Sequence, residues 1–131
     1  MGDYMENITL SDGEWKIMKL LWTTPSLSLR EITDALEKET GWSRPTIHVM
    51  LKRLGEKGAV ALDSSVKPQK YYPTVKRDDI APKETESFLS RVYDGSVRML
   101  FSALTERKKL SEKDIAELRQ ILDNAEKEKK E

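Results

Sequence analysis

Between Gly41 and Gly58 the chain reads GWSRPTIHVMLKRLGEKG, and its functional chemistry is concentrated there. The stretch holds four basic side chains and the only histidine of the sequence. At about 100° per residue, Ile47, Leu51 and Leu54 share one face of a helix, with Met50 at its edge. The opposite face takes Pro45, Val49, Lys52 and Glu56, flanked by His48 on one side and by Thr46 and Arg53 on the other. A valine set among cations on an outward face fits contact with DNA. Val49 can meet a thymine methyl, Thr46 and His48 can reach base edges or phosphates, and Lys52 and Arg53 can hold phosphates. Ser43 and Arg44, at the start of the same helix, complete the candidate set on this element. The bland alternative is a solvated charged face with one stray surface aliphatic, a common feature of soluble proteins.

Other chemistries have little to work with. The absence of cysteine excludes disulfides, thiolate zinc sites and thiol catalysis. One histidine does not make a His-rich metal site, and no Gly-rich phosphate loop or paired metal-ligand motif occurs. The sequence therefore predicts no catalytic residues, no metal and no cofactor. No apolar run approaches the roughly 20 residues needed to span a bilayer, and the opening MGDYMENITL lacks a basic region followed by an apolar one. These features predict a cytoplasmic protein without membrane insertion.

Charge is balanced overall but not along the chain. Residues 1–40 hold 4 Lys+Arg against 8 Asp+Glu, residues 41–77 hold 8 against 2, and residues 78–131 hold 11 against 13. The basic excess falls on the segment that contains the helix described above, as a nucleic-acid footprint requires. Lys67 and Lys70, further along that segment, would add phosphate contacts whose strength falls with salt. A solubilising loop would carry the same lysines.

The elements that must position these side chains can be read from caps and periodicity. Ser11-x-x-Glu14 is a capping-box signal that opens a first helix over about residues 12–23. Trp15, Met18, Leu21 and Trp22 share its inner face, with Ile17 and Leu20 beside it. Ser28 and Glu31 repeat the signal for a second helix over about 29–39, with Leu29, Ile32, Ala35 and Leu36 as its apolar stripe and Gly41 as its stop. Ser43 caps the third helix, Pro45 fits its first turn, and Gly58 ends it. Ala59–Leu62 and Lys70–Val75 read as two antiparallel strands joined by a polar loop, with Tyr71 and Tyr72 on opposite faces. Helix, helix, helix, strand, loop, strand is the order of a winged helix-turn-helix, in which the third helix enters the major groove and the hairpin approaches the backbone.

Beyond about residue 78 the character changes. Phe88, Leu89, Val92, Tyr93, Val97, Leu100, Phe101 and Leu104 follow one side of a single expected helix. Ile115, Leu118, Ile121 and Leu122 follow on another, capped by Ser111 and ending in a charged tail, while Pro82 lies near the junction of the two halves. Two such helices cannot bury these side chains against each other, and a symmetric dimer is the commonest solution. A single-chain helical core is the alternative. The fold expected is thus mainly α with a small β-hairpin: an N-terminal winged helix-turn-helix over 1–78 and a C-terminal helical dimerisation region over 79–131.

The runs LSDGEWKIMKLLW, LREITDALEKETGWSRPTIHVMLKRLGEKGAV, KYYPTV and SFLSRVYDGSVRMLFSAL together resemble the penicillinase repressor (BlaI/MecI/CopY) family, from about Leu10 to Leu122. The resemblance implies a homodimeric repressor that binds a palindromic operator, often with TACA/TGTA half-sites, through the N-terminal winged helix. In the antibiotic-resistance branch, the resemblance further implies inactivation by cleavage within the dimerisation region, triggered by a membrane-bound metallopeptidase sensor. By position the matching bond here lies near Ala103–Leu104, where a resistance-branch member has Asn–Phe. The copper-responsive branch carries a cysteine cluster that this chain lacks. On the reading helix, Thr46 matches the resistance branch, while Pro45, His48 and Val49 stand in place of Lys, Arg and Thr. A winged helix used only as a protein-docking module is the competing function. Binding of a stoichiometric protein partner without promoter affinity would mark it.

Overall fold

A computed structural model describes residues 8–130. The reading of the opening segment as lacking a leader falls largely outside them. Six helices and three short strands follow in the order α1 (Asp12–Thr23), β1 (Leu27–Ser28), α2 (Leu29–Thr40), α3 (Arg44–Glu56), β2 (Val60–Asp63), β3 (Lys70–Pro73), α4 (Arg77–Tyr93), α5 (Val97–Glu106) and α6 (Glu112–Lys130). Contacts divide the chain into two compact units, the first ending at Thr85 and the second beginning at Glu86.

Both capping boxes form. The Ser11 hydroxyl accepts from the Glu14 amide while Glu14 Oε1 accepts from the Ser11 amide, and Ser28 and Glu31 repeat the exchange. Each box satisfies two helix-start donors that have no intrahelical partner. α1 buries Glu14, Ile17, Met18 and Leu21. The inner face is therefore centred on Ile17, and Trp15 and Trp22 sit at its edges rather than its middle. The indoles explain this: Trp22 Nε1 donates to the Val75 carbonyl at 2.8 Å, and Trp15 meets Trp22 edge-on. A buried indole N–H needs such a partner. α2 buries Ile32 and Leu36 and ends at Gly41, whose φ of 67° is left-handed. Ala35, expected on the stripe, is exposed.

α3 buries Ile47, Met50, Leu51 and Leu54. Ser43 occupies the cap position, but its hydroxyl pairs with that of Thr46 at 3.2 Å rather than with a backbone amide. Pro45 lies in the first turn, where its missing N–H costs nothing. The helix ends at Glu56, and Gly58, with φ 83°, turns the chain so that the Ala59 amide donates to the Leu54 carbonyl at 2.9 Å. The left-handed turn suits glycine because no Cβ is present to clash.

The strands form one antiparallel sheet of order β1-β3-β2. β2 and β3 pair with Leu62 opposite Tyr71, and β1 adds Leu27 opposite Tyr71 and Ser28 opposite Lys70. β1 has two residues, too few to show any periodicity. Only the free edge of β3 makes it a strand. The first unit's core joins Ile17, Met18, Leu21, Ile32, Ile47, Leu51, Leu54 and Ile80, all essentially inaccessible.

The single helix expected across residues 84–104 is two. Asp94 and Gly95 adopt left-handed φ of 51° and 81°, and Ser96 caps α5 through the Met99 amide at 3.1 Å. Asp-Gly-Ser supplies residues that tolerate such φ values and a new cap, so local chemistry overrides the apolar periodicity. Pro82, expected near the junction of the two halves, lies inside α4 shortly before the Thr85–Glu86 division of the two units. Ser111 and Asp114 cap α6 reciprocally, and the charged tail is helical to Lys130.

Candidate nucleic-acid interface

α3 is held from behind and presented in front. Its inner face supplies four side chains to the core, and burial of each large one contributes about 1.5–3 kcal/mol. Its C-terminal end is tied by an ion pair. Lys57, at the cap, donates to Glu14 Oε1 at 2.6 Å and to the Thr9 carbonyl at 2.8 Å. Burial raises the Glu14 pKa, but Lys57 and the Ser11 donors outweigh it and hold the carboxyl below the usual glutamate range. Glu14 Oε2 is buried without a partner. Lys57, one of the four cations of the 41–58 stretch, thus serves the interior, and its charge cannot be counted toward an outward patch.

The outward face matches the helical projection. Ser43, Arg44, Pro45, Thr46, His48, Lys52 and Arg53 are exposed, and Val49 keeps half of its surface accessible. Arg44, Lys52 and Arg53 form no ion pair among the described residues. They stand as uncompensated cations on the exposed sides of the helix. Lys67 is exposed in the loop between β2 and β3, as a phosphate contact requires. Lys70 is placed differently. It is half-buried at the start of β3, and its charge helps lower the Glu31 pKa, after the larger effect of the Ser28 donors. Tyr71 packs against the core, where burial raises its hydroxyl pKa, while Tyr72 is exposed.

Arg30 was not anticipated. It follows the Ser28 cap by two residues and lines a cleft with Arg44 and His48. The signal for it was hidden, because residues 1–40 are acidic on balance and only the sheet and helix packing bring Arg30 to the basic face.

The second unit has a different surface. α5 and α6 contain no buried residue. Phe88, Val92, Val97, Phe101, Ile115 and Leu122 are exposed, while Leu89, Tyr93, Leu100, Leu104 and Leu118 are half-covered. Phe88 and Tyr93 meet edge-on at 6.0 Å. Ala103 and Leu104 are half-buried within α5, so the peptide bond between them is helical. Among the described residues no helix is long and apolar enough to cross a membrane.

Comparison with known proteins adds a lineage. The penicillinase repressor family model matches residues 10–124. The methicillin resistance regulatory protein MecI of Staphylococcus aureus is 32% identical over 120 residues, covering 90% of this chain and 98% of that one. The penicillinase repressor of Bacillus licheniformis is 34% identical over 122 residues, covering 93% and 95%. Among solved structures, monomeric Bacillus licheniformis BlaI in complex with the blaP half-operator superposes with a TM-score of 0.50 at 33% identity, over 55% of this chain and 88% of that one.

Proposed function

The chain belongs to the penicillinase repressor family, and from that premise we propose that it is a homodimeric transcriptional repressor that reads a palindromic operator through α3 and the β2–β3 loop. The observation that carries this reading is the outward face of α3, where Thr46, His48, Val49 and three unpaired cations project from a helix fixed on its other side by the core and by Lys57. Such rigidity matters because a base-edge contact tolerates little displacement. Val49 meets a thymine methyl, and Thr46 and His48 take base edges or phosphate. Ser43 and Pro45 shape the entry of the helix. Arg44, Lys52, Arg53 and Lys67 take phosphates, while Lys70, half-buried and near Glu31, adds positive charge beside them without the exposure of Lys67. The relative bound to a half-operator supports this docking.

The apolar stripe beyond Glu86 supports the dimer. A second copy covers Phe88, Leu89, Val92, Tyr93, Val97, Leu100, Phe101, Leu104, Ile115, Leu118 and Leu122, and residues 79–131 serve as the dimerisation region. Two linked reading helices then match two half-sites. Release is by cleavage near Ala103–Leu104, downstream of a membrane-bound metallopeptidase sensor. The helical turn there must open first, and the cut removes Leu104 and all of α6 from the stripe.

The test is binding of purified protein to the palindromes in its own promoter against random duplex, across a salt series. Submicromolar preference with a steep negative salt slope is expected. Equal binding to both duplexes at moderate salt would sink the repressor reading.

A further inference from the structure

The groove between α3 and the β2–β3 hairpin contains more than a phosphate bed needs. At one end it widens to a cleft of about 570 Å³, a volume ordinary for small-molecule sites. Its walls include Leu29 and Arg30 of α2, Arg44 and His48 of α3, and Leu62 and Tyr71 of the hairpin. Leu62 and Tyr71 oppose each other in the ladder and so share the face turned to α3. Leu62 remains 41% exposed there. An apolar floor left open to water costs free energy that a covering group would recover. The polar groups stand around it. Arg30 reaches only Asp34, at 3.9 Å, with both side chains mostly exposed. Arg44 and His48 have no ion pair or hydrogen-bonded side-chain partner among the described residues.

We propose that this cleft binds a small amphipathic organic anion, a carboxylate on an aromatic or compact apolar body, and that the bound anion competes with DNA. The apolar body covers Leu29, Leu62 and Tyr71. The carboxylate takes the planar donors of Arg44 or Arg30, which match its two oxygens better than an ammonium does. Inorganic phosphate would satisfy the guanidiniums but leave the floor wet, so the composition of the cleft favours a carboxylate with an apolar body. Arg44 and His48 also belong to the face assigned to DNA. A ligand that engages them removes them from the operator, and by linkage the operator weakens the ligand by the same factor. The competition arm rests on the DNA reading, whereas the binding arm does not.

The probe is 2-naphthoate, with the neutral 2-naphthamide as its control, added to the full-length protein without DNA. Amide NMR shifts should saturate and cluster at residues 28–30, 44–48, 62 and 69–71, and the amide should bind about tenfold more weakly or worse. Arg44→Ala and Leu62→Gln should each weaken 2-naphthoate by about tenfold. Both sites are exposed, and the unshifted remainder of each spectrum verifies the fold. No saturable shift by about 10 mM, shifts centred elsewhere, or equal affinity for the neutral amide would overturn the site. With the operator present, its apparent dissociation constant should rise as one plus the ratio of naphthoate to its own constant. Binding of naphthoate without that rise overturns the competition. Operator affinity measured without naphthoate is a separate reading, so loss of the DNA assignment is distinguishable from loss of the ligand site.

Discussion

The two units of this chain use the same sequence device, apolar residues at helical spacing, to opposite ends. In the first unit Ile17, Met18, Leu21, Ile32, Ile47, Leu51 and Leu54 close on one another from three helices and become inaccessible. In the second unit Val97 is left 55% exposed and Leu122 66%, and neither α5 nor α6 buries a single residue. The first unit has three helices that cross plus a hairpin to seal the edge. The second has a few helices with no sheet, too little surface to enclose a core. Periodicity thus states that a face is apolar, and the number of elements around it decides whether the chain can cover that face unaided.

The largest effect should come from the enclosed side of this contrast. Leu54→Ala leaves a cavity where nothing can collapse and should cost about 2–5 kcal/mol, read as a lower urea midpoint. Leu122→Ala should cost far less in dilute, dissociated protein, and equal losses would erase the distinction between the units. Next, Phe101→Glu should separate the proposed dimer to the mass of one 15.1 kDa chain in sedimentation. It should lower affinity for a full palindrome by about a hundredfold, leaving a half-site nearly unaffected. A variant that stays dimeric would show that the stripe is not the interface.

Smaller effects test how the first unit divides its own surface. Val49→Glu should reduce operator binding by about ten- to a hundredfold with an unchanged melting temperature, since the side chain is half exposed. Unaltered affinity would remove this face from the DNA. Lys57→Met leaves the Glu14 carboxylate buried without its cation. Because Lys57 is itself 35% exposed, the cost should be about 1–2 kcal/mol, below that of a fully buried pair. Glu14 titrates below its ordinary range in the folded protein, so its contribution is complete above that range and is lost as pH falls through the lowered value. Removing Lys57 should therefore move acid unfolding to higher pH by circular dichroism, and an unmoved midpoint would deny the pair this role. Smallest of all, Lys67→Ala should weaken every duplex alike and flatten the salt slope by about one unit. A sequence-dependent loss would instead make the loop a reader of bases.

The caps and stops were legible in advance because they are local. Ser11 with Glu14 and Ser28 with Glu31 satisfy backbone donors three residues away, and Gly41 and Gly58 supply left-handed turns. The outward set on α3 was legible for a related reason: once Ile47, Leu51 and Leu54 face inward, helical geometry dictates what faces out. Asp94-Gly95-Ser96 carried an equally local signal, but a continuous apolar stripe masked it, and the turn chemistry prevailed. β1 and Arg30 had no local signal at all.

The sequence by itself determined the capping boxes that open α1 and α2, the glycine turns that follow α2 and α3, which face of each of these helices is apolar, and which residues of α3 face outward. Those properties follow from hydrogen bonds and side-chain directions within a few residues of one another. Tertiary structure alone decided that Lys57 turns inward to Glu14 across 43 positions. It also decided that Leu27 and Ser28 become a strand on β3, and that Arg30 joins Arg44 and His48 around one cleft. The reason is physical: a charge or a backbone edge acts through distance in space, and only the packed chain sets that distance.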